Sequence, residues 1–384
     1  MLTLDHTEFI YYWLFNDISV FIISFIISGI VIPKIILIAF RKNLFDDVNE
    51  RKIHRGVVPR LGGIAFFPAF LFSMALVIAG NIRLDYPWMQ TAVDGRLMPL
   101  FFEICAIILL YLVGIADDLI GVKYRAKFIV QIVSGLLVVS AGMYISDFYG
   151  MFWLHTLPTW LAVIFTLLVV VFVVNAINLI DGIDGLASGL STIALGFYAV
   201  VFYMGGEYVY SMLAAATAGT LFPFFYYNVF GDAKRQKKIF MGDTGALTTG
   251  MVLVFCVIGV MCCKPDFLTD NYNPAIVALS PLIIPCFDVL RVYFHRVKRR
   301  RNPFLPDKCH IHHKLLALGM NQASALLTIL GGALVFIGTN VLVSPYINPN
   351  LIFLIDIVLW CAGNMALTQA IRRREHRLGT TLYD

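Results

Sequence analysis

Long apolar segments alternate with short polar loops along the whole chain. Eleven windows are apolar enough for a transmembrane helix, which needs about 20 predominantly apolar residues. They lie near 18–40, 61–80, 98–115, 128–145, 158–178, 186–204, 209–229, 244–263, 275–294, 323–344 and 350–371. The pattern therefore predicts an all-α polytopic membrane protein with about eleven transmembrane helices.

The composition agrees with this prediction. Of the 384 residues, 59% are hydrophobic and only 14% are charged, whereas a soluble protein carries about a quarter charged residues. The chain shows no internal repeat, no low-complexity tract and no linker long enough to hold a second domain. We expect a single integral membrane domain over residues 1–384.

The distribution of basic residues predicts the orientation of the chain. Lys and Arg cluster after the first, third, seventh, ninth and eleventh predicted helices, in the ranges 41–60, 123–127, 234–238, 296–301 and 372–377. The opposite loops carry only Arg83, Arg96 and Lys264. By the positive-inside rule, the N-terminus lies outside and the C-terminus is cytoplasmic. The basic rim also suits anionic lipid headgroups, and we expect the bilayer, not a nucleic acid, as its partner.

The unusual polar motifs fall in the same set of loops as the basic clusters. These loops cover about 41–60, 116–127, 178–186, 230–243 and 295–322. The opposite loops contain isolated polar residues but no paired acids and no histidine cluster. Such a one-sided concentration predicts an active site at the membrane surface that faces the cytoplasm.

Five acids stand at the ends of predicted helices in these loops: Asp117, Asp118, Asp181, Asp184 and Asp243. Converging carboxylates raise each other's pKa unless a cation neutralises them, and Mg²⁺ is bound through one or two carboxylates together with water and substrate phosphates. The alternative is helix capping, by Asp243 for the helix near 244 and by Asp184 for the helix near 186. Five acids in three loops favour the metal.

The histidines of "HIHH", His310, His312 and His313, follow Cys309. A short His-rich tract suggests zinc, but four such residues so close together cannot surround one tetrahedral ion, and no second ligand pair occurs elsewhere. Donation to a pyrophosphate is a better use of these rings, and simple exposure in a loop is the remaining alternative.

Taken together, the motifs resemble those of a known family. Between Asp46 and Gly319 they occur as "RKIHRGVVPRLGG", "DDLIG", "NLIDGIDGLASG", "FMGDTGALTTG" and "HIHH". This ordered set resembles the polyprenyl-phosphate N-acetylhexosamine-1-phosphate transferases, glycosyltransferase family 4. The eleven helices and the form "NPFLPDKCHIHH" are more similar to the WecA and TagO branch than to the MraY branch.

The resemblance implies an enzyme of a bacterial cytoplasmic (inner) membrane. It would transfer N-acetylhexosamine 1-phosphate, with GlcNAc favoured, from a UDP-sugar to undecaprenyl phosphate, release UMP and so initiate a cell-surface glycan. It also implies Mg²⁺ as the cofactor, with Mn²⁺ as a substitute, and leaves a homodimer open. The alternatives are a phospho-MurNAc-pentapeptide transferase of the same family and, from a different class, a secondary transporter.

The resemblance also assigns residues. Asp243 is similar to the metal-ligating aspartate, Asp117 to the acid beside the lipid phosphate and a second metal ligand, and Asp118 to a supporting acid. Either Lys123 or Lys127 would bind phosphate. The residues that would hold the nucleotide-sugar are Asn178, Asp181, Asp184, Phe240 as the uracil-stacking ring, His310, His312, His313 and one arginine of 299–301, represented by Arg301. The "DDLIG" motif lacks the third acid of some relatives, so a mechanism that needs it is not expected.

Overall fold

The structure is a computed structural model that describes residues 6–44, 57–263, 268, 272–300, 309–379 and 381. Within these residues the regular secondary structure is helical apart from one isolated bridge between Asp147 and Thr156. The α-helices are α1 His6–Lys42, α2 Phe66–Arg83, α3 Pro87–Asp94, α4 Leu97–Ile120, α5 Tyr124–Ser140, α6 Thr159–Ile180, α7 Leu186–Met204, α8 Tyr208–Val229, α9 Gly242–Cys263, α10 Pro274–Leu279, α11 Ile283–Lys298, α12 Ile311–Ala317, α13 Gln322–Val343 and α14 Pro349–Leu378. The predicted all-α fold is confirmed.

Ten helical segments in the described part of the chain are long and apolar enough to cross a membrane. One of them, Pro274–Lys298, combines α10, a short 3₁₀ turn and α11. They match ten of the eleven predicted segments. The eleventh, predicted near 128–145, forms helix α5, which is only 17 residues long because it ends before Gly142, where φ is +81°.

Helix α5 nevertheless carries the chain from one end of the bundle to the other. Its first turn contacts the C-terminal end of α4 through Lys127 and Asp117. The segment that follows it contacts the opposite end, where the Tyr149 hydroxyl donates to the carbonyl of Met261 in the last turn of α9. A helix of 17 residues rises about 25 Å, slightly less than the hydrocarbon thickness of about 30 Å. Within the described residues, the chain therefore passes through the bundle eleven times, ten times as the apolar segments above and once as α5.

Helix α9 lies at the centre of the bundle. It is apolar on every side and almost completely buried, as expected for a helix that is surrounded by other helices. Helices α4, α6, α7 and α8 all pack against it. Helices α1, α13 and α14 keep many large apolar side chains exposed, which is the surface that a lipid environment requires. The centre of the protein thus supplies a rigid support for whatever the N-terminal end of α9 carries.

Candidate active site

Two carboxylates share one ammonium group where three helices meet. Asp117 lies in the last turn of α4 and Asp243 in the first turn of α9. Lys127 of α5 places its Nζ 3.1 Å from Asp117 Oδ2 and 2.7 Å from Asp243 Oδ2. Residues that are 126 positions apart in the sequence are therefore joined at one point, and a cation stabilises two carboxylates that would otherwise repel each other.

Asp118 holds the N-terminal end of α9 in place. Its carboxylate accepts hydrogen bonds from the backbone N–H groups of Asp243 and Thr244 at 2.7 and 2.9 Å, and from the Thr244 hydroxyl at 2.6 Å. The first N–H groups of a helix have no partner inside the helix, and a carboxylate there also interacts favourably with the helix dipole. Because Asp118 from α4 provides the cap, the capping interpretation of Asp243 is wrong, and the Asp243 carboxylate is directed to Lys127.

Glycines allow the backbones around this point to touch. A Cβ on Gly63 would lie 2.0 Å from the backbone nitrogen of Gly245, and a Cβ on Gly114 would lie 2.5 Å from Cα of Thr244. The backbone N–H groups of Gly62 and Gly63 donate to the carbonyls of Phe240 and Met241. The glycines of "MGDTG" and "RLGG" thus serve mainly the close packing of one segment on another.

Asp181 and Asn178 extend the site from the end of α6. The Asn178 side chain lies beside the Asp243 carboxylate. Asp181 is accessible to solvent although protein surrounds it densely, which is typical of a residue that lines a cleft. This partial exclusion of water, together with the charges of Asp184 and Asp243, raises the pKa of Asp181 to about 7. A cation bound nearby would lower that pKa again.

Asp184 has a different environment. Its Oδ2 accepts from Lys238 Nζ at 2.6 Å, and both side chains are largely buried. The helix that follows begins after Gly185, whose N–H donates to the Asn228 side chain at 2.6 Å, and Asn228 in turn donates to the carbonyl of Ile239 at 2.8 Å. Asp184 does not cap α7. These contacts tie the "DGIDG" loop to the segment that leads into "FMGD".

The histidine segment packs directly against the "DGIDG" loop. A Cβ on Gly182 would lie 2.1 Å from Nε2 of His312, so only glycine leaves room for this ring. His312 is buried, and neither of its ring nitrogens finds a hydrogen-bond partner among the described residues. Burial, followed by the proximity of His313 and His310, lowers the pKa of His312 to about 3. A neutral, buried and unpartnered imidazole is suited to receive a polar ligand group.

Asp288 orients the start of this segment, and the motif analysis missed it. The residue is fully buried in α11, and its carboxylate lies 2.8 Å from His310 Nδ1, 2.8 Å from Arg291 Nη2 and 3.1 Å from the backbone N–H of Ile311. The sequence contained one signal, since an acid inside a predicted membrane helix is costly and often functional. Without the fold, nothing connected Asp288 to "HIHH".

The last helix also holds the histidine segment. Lys314 of α12 is buried and donates to Oδ1 of Asn364 at 3.2 Å and to the Thr368 hydroxyl at 3.1 Å. Arg374 donates to the carbonyl of Ala317 at 3.0 Å. Asn364, Thr368 and Arg374 all belong to α14. The histidines are therefore fixed between α11 on one side and α14 on the other.

The remaining predicted site residues have mixed positions. Phe240 is half-buried, and its backbone pairs with Pro59 and Gly62. The sequence left open whether Lys123 or Lys127 binds phosphate. Lys123 is exposed at the N-cap of α5, whereas Lys127 lies beside the carboxylates. The ring of His313 lies against that of His312, with 4.2 Å between the ring centroids and an angle of 46° between the ring planes. Arg301 lies outside the described residues.

The carboxylates fit a magnesium ion. Oxygens of Asp117 and Asp243 converge on one cationic centre, and Asn178 and Asp181 lie beside them. Mg²⁺ takes oxygen ligands, typically one or two carboxylates, and completes its shell with water and phosphate oxygens. The described residues include no group of three or more His, Cys, Asp or Glu side chains already arranged around one metal position.

The chain is similar in sequence to several known proteins. The chain is 30% identical over 343 residues to the "probable undecaprenyl-phosphate N-acetylglucosaminyl 1-phosphate transferase" of Bacillus subtilis, which covers 88% of each chain. Residues 100–261 match glycosyl transferase family 4. The chain belongs to glycosyl transferase family 4. Two family 4 relatives named "undecaprenyl-phosphate alpha-N-acetylglucosaminyl 1-phosphate transferase" are also similar. The protein from Yersinia pestis is 29% identical over 86% of this chain and 83% of its own, and that from Escherichia coli K12 is 27% identical over 84% and 83%.

The region that matches family 4 contains the carboxylate centre but not the histidine segment. Asp117, Lys127, Asp181 and Asp243 all lie within residues 100–261, whereas Asp288 and the three histidines lie beyond them. The inclusion of Asp288 in the site of this family 4 protein therefore rests on its contacts with His310 and Ile311.

Lys127 provides a direct test of the carboxylate centre. In this family 4 protein we expect Lys127→Met to lower kcat/KM at least tenfold. The variant loses the ammonium group between Asp117 and Asp243, which would stabilise negative charge in the transition state. The matched control is Lys123→Met, four residues earlier, whose exposed side chain should be dispensable. Equal losses in the two variants, measured by nucleotide release, would argue against a specific role for Lys127.

Asp288 is tested by a second substitution. We expect Asp288→Asn to raise the KM for the sugar-phosphate donor about tenfold with a smaller change in kcat, because His310 loses its charged acceptor and the histidine segment loses its orientation. Asp356→Asn is the control, since Asp356 is also buried within a membrane helix and hydrogen-bonded, to Asn340 at 2.9 Å. A kcat effect without a KM effect would contradict a positioning role.

Proposed function

We propose that this family 4 protein transfers N-acetylglucosamine 1-phosphate from UDP-N-acetylglucosamine to undecaprenyl phosphate, releases UMP and leaves an undecaprenyl-diphospho-sugar in the membrane. The observation that carries the proposal is the Asp117–Lys127–Asp243 centre, which lies where the ends of membrane helices meet. A lipid phosphate can reach that level from the bilayer and a soluble nucleotide from the water. The names of the relatives indicate the sugar and the lipid.

The reaction forms one phosphorus–oxygen bond and breaks another. An oxygen of the acceptor phosphate attacks the β-phosphorus of the UDP-sugar, and the bond from that phosphorus to the UMP oxygen breaks. A phosphate monoester has a second pKa of about 6 and is mostly dianionic at neutral pH. The protein therefore needs no base to create the nucleophile, and its main task is to bring two anions together in the correct orientation.

The residues of the chain divide this task between them. Lys127 supplies positive charge beside the reacting phosphates, while Asp117 and Asp243 would hold Mg²⁺, which neutralises negative charge on the phosphate oxygens when it is bound. Asp118 fixes the position of Asp243 through the backbone of α9. His312, with both ring nitrogens unpartnered among the described residues, offers a neutral donor to the sugar or the pyrophosphate.

The end of the bundle that carries this centre is proposed to face the cytoplasm. The proposal rests on the positive-inside rule, since the basic clusters occur at this end, and it agrees with the place where nucleotide-sugars are made. It would put the protein in the cytoplasmic membrane of a bacterium. Mg²⁺, with Mn²⁺ as a substitute, is proposed from the same carboxylate geometry.

Two alternatives are less well supported. A secondary transporter normally binds its substrate near the bilayer midplane between inverted repeats, whereas these carboxylates lie at one end of the bundle and the chain belongs to a transferase family. A phospho-MurNAc-pentapeptide transferase would share the chemistry. The relatives described above are N-acetylglucosaminyl transferases by name, which favours the smaller donor.

A reconstituted assay tests the proposal. Purified protein in detergent, supplied with undecaprenyl phosphate, Mg²⁺ and UDP-N-acetylglucosamine, should release UMP in proportion to the lipid product. We expect UDP-N-acetylglucosamine to compete effectively against UDP-N-acetylgalactosamine and to be unaffected by UDP-MurNAc-pentapeptide. Absence of UMP with every N-acetylhexosamine donor would refute the transferase proposal, and inhibition by the pentapeptide donor would shift it to the other branch of the family.

A further inference from the structure

A cavity opens on the surface outside the carboxylate centre. It has a volume of about 570 Å³ and lies between the last turns of α1, the segment at residue 57 and the loop that follows α8. None of the acids, histidines or lysines assigned to the reaction lines it. The residues that do are Leu37, Phe40, Arg41, Asn43, Val57, Ala233, Lys234 and Gln236.

The lining of this cavity is amphipathic. Leu37, Phe40 and Val57 provide an apolar base, and Arg41 and Lys234 provide two positive charges, and none of the described residues that line the cavity is acidic. Two of the neighbouring cations are paired: Arg235 lies 3.5 Å from Asp232, and Lys238 is bound to Asp184. Within the described part of the chain, Arg41 and Lys234 make no ion pair, so their charge is available to a ligand.

The position of the cavity matches the boundary between lipid and water. Helix α1 has 37 residues and is about 55 Å long, so it extends well beyond a hydrocarbon layer of about 30 Å. Lys34, Arg41 and Lys42 are the basic residues of its C-terminal part, and long basic side chains near a helix end reach toward the headgroups. Leu37 remains exposed beside them, on the side from which an acyl chain would approach.

We propose that this cavity binds the headgroup of an anionic phospholipid. The phosphate lies between Arg41 and Lys234, the amides of Asn43 and Gln236 offer hydrogen bonds, and one acyl chain runs along α1 over Leu37 and Phe40. The charge and the apolar base together select this class of ligand, because a free phosphate would leave the apolar base unused and a zwitterionic lipid would gain less from two cations.

Binding here would also brace the active site. The loop that carries Lys234 and Gln236 continues directly into Lys238, which holds Asp184, and into Phe240, whose N–H donates to Pro59 at 2.9 Å. Val57 lies on the other segment of the same backbone pairing. A lipid between α1 and these two segments therefore restrains the backbone that positions Phe240.

Native mass spectrometry of the full-length protein, extracted gently and titrated with phosphatidylglycerol, tests the proposal without any turnover. We expect one tightly retained phosphatidylglycerol in the wild type. The affinity for phosphatidylglycerol should weaken about fivefold in each of the variants Arg41→Gln and Lys234→Gln, since one basic residue near an anionic membrane surface strengthens binding by about this factor. The control, Arg372→Gln with Arg373→Gln, removes two exposed charges at the end of α14 that do not line the cavity.

Two results would overturn the proposal. One is equal retention of phosphatidylglycerol by the wild type and the Arg41→Gln/Lys234→Gln double variant, with both proteins showing the same melting temperature. The other is evidence that the cavity binds a different lipid. Such evidence would be either equal retention of phosphatidylcholine or preferential loss of a bound polyprenyl phosphate from the double variant. Because the readout is lipid mass, these results are independent of whether the transferase assay succeeds.

Discussion

Asp243→Asn is expected to reduce turnover about a hundredfold to a thousandfold at ordinary Mg²⁺ concentrations, because the loss of one preorganised electrostatic group from a reaction centre has an effect of this size. The amide has nearly the same shape, so the cap that Asp118 places on the backbone of residues 243 and 244 is retained. The missing element is the negative charge that pairs with Lys127 and would bind the metal. UMP release from UDP-N-acetylglucosamine measures the effect.

The control for this variant is Asp94→Asn, which changes an exposed acid at the end of α3, away from the carboxylate centre. We expect wild-type turnover from the control and the same melting temperature and elution profile from both variants. Turnover by Asp243→Asn within tenfold of wild type would exclude the proposed role of this carboxylate, whatever the Mg²⁺ concentration.

Gly63→Ala, which adds a single methyl group, is expected to lower both the stability and the activity of the protein. The new Cβ would lie 2.0 Å from the backbone nitrogen and 2.2 Å from Cα of Gly245, and backbone atoms cannot move aside as a flexible side chain does. Overpacking of this kind costs about 1–3 kcal/mol or more. The segment around Gly63 and α9 must separate, so both the melting temperature in detergent and the activity should fall.

Gly80→Ala is the matched control for Gly63→Ala. Gly80 lies in α2, is exposed, and has no atom within 4 Å of the position that its Cβ would take. Alanine is favoured over glycine inside a helix by about 1 kcal/mol, so this variant should be as stable as the wild type or more so. Wild-type melting and activity in Gly63→Ala would show that the close approach of residues 63 and 245 is not maintained in the protein.

The sequence predicted the fold class well, because apolar segments of membrane length are an unambiguous signal. It was less accurate for α5, where Gly142 ends the helix early, in a left-handed conformation that hydropathy does not reveal. The set of site residues was predicted from ordered motifs, and the structure brings Asp117, Lys127, Asp181 and Asp243 together.

The division of labour within that set could not be predicted. Asp117 and Asp118 are adjacent in the sequence, but one contacts Lys127 and the other caps α9, because successive side chains on a helix point in different directions. Asp184 could not be separated from Asp181 until its ion pair with Lys238 was seen. Asp288 was missed because its partners in the histidine segment, His310 and Ile311, lie 22 and 23 residues further along the chain.

The contacts between α12 and α14 determine when the histidine segment can take its final position during synthesis of the chain. The carboxylate centre is complete once α9 has been made, but α12 depends on Asn364, Thr368 and Arg374 of α14. A nascent chain that has not yet reached residue 349 would contain the histidines without the helix that holds them. Because α14 follows all the other described helices in the sequence, the contacts that hold the histidine segment from this side can form only after the rest of the described bundle has been synthesised.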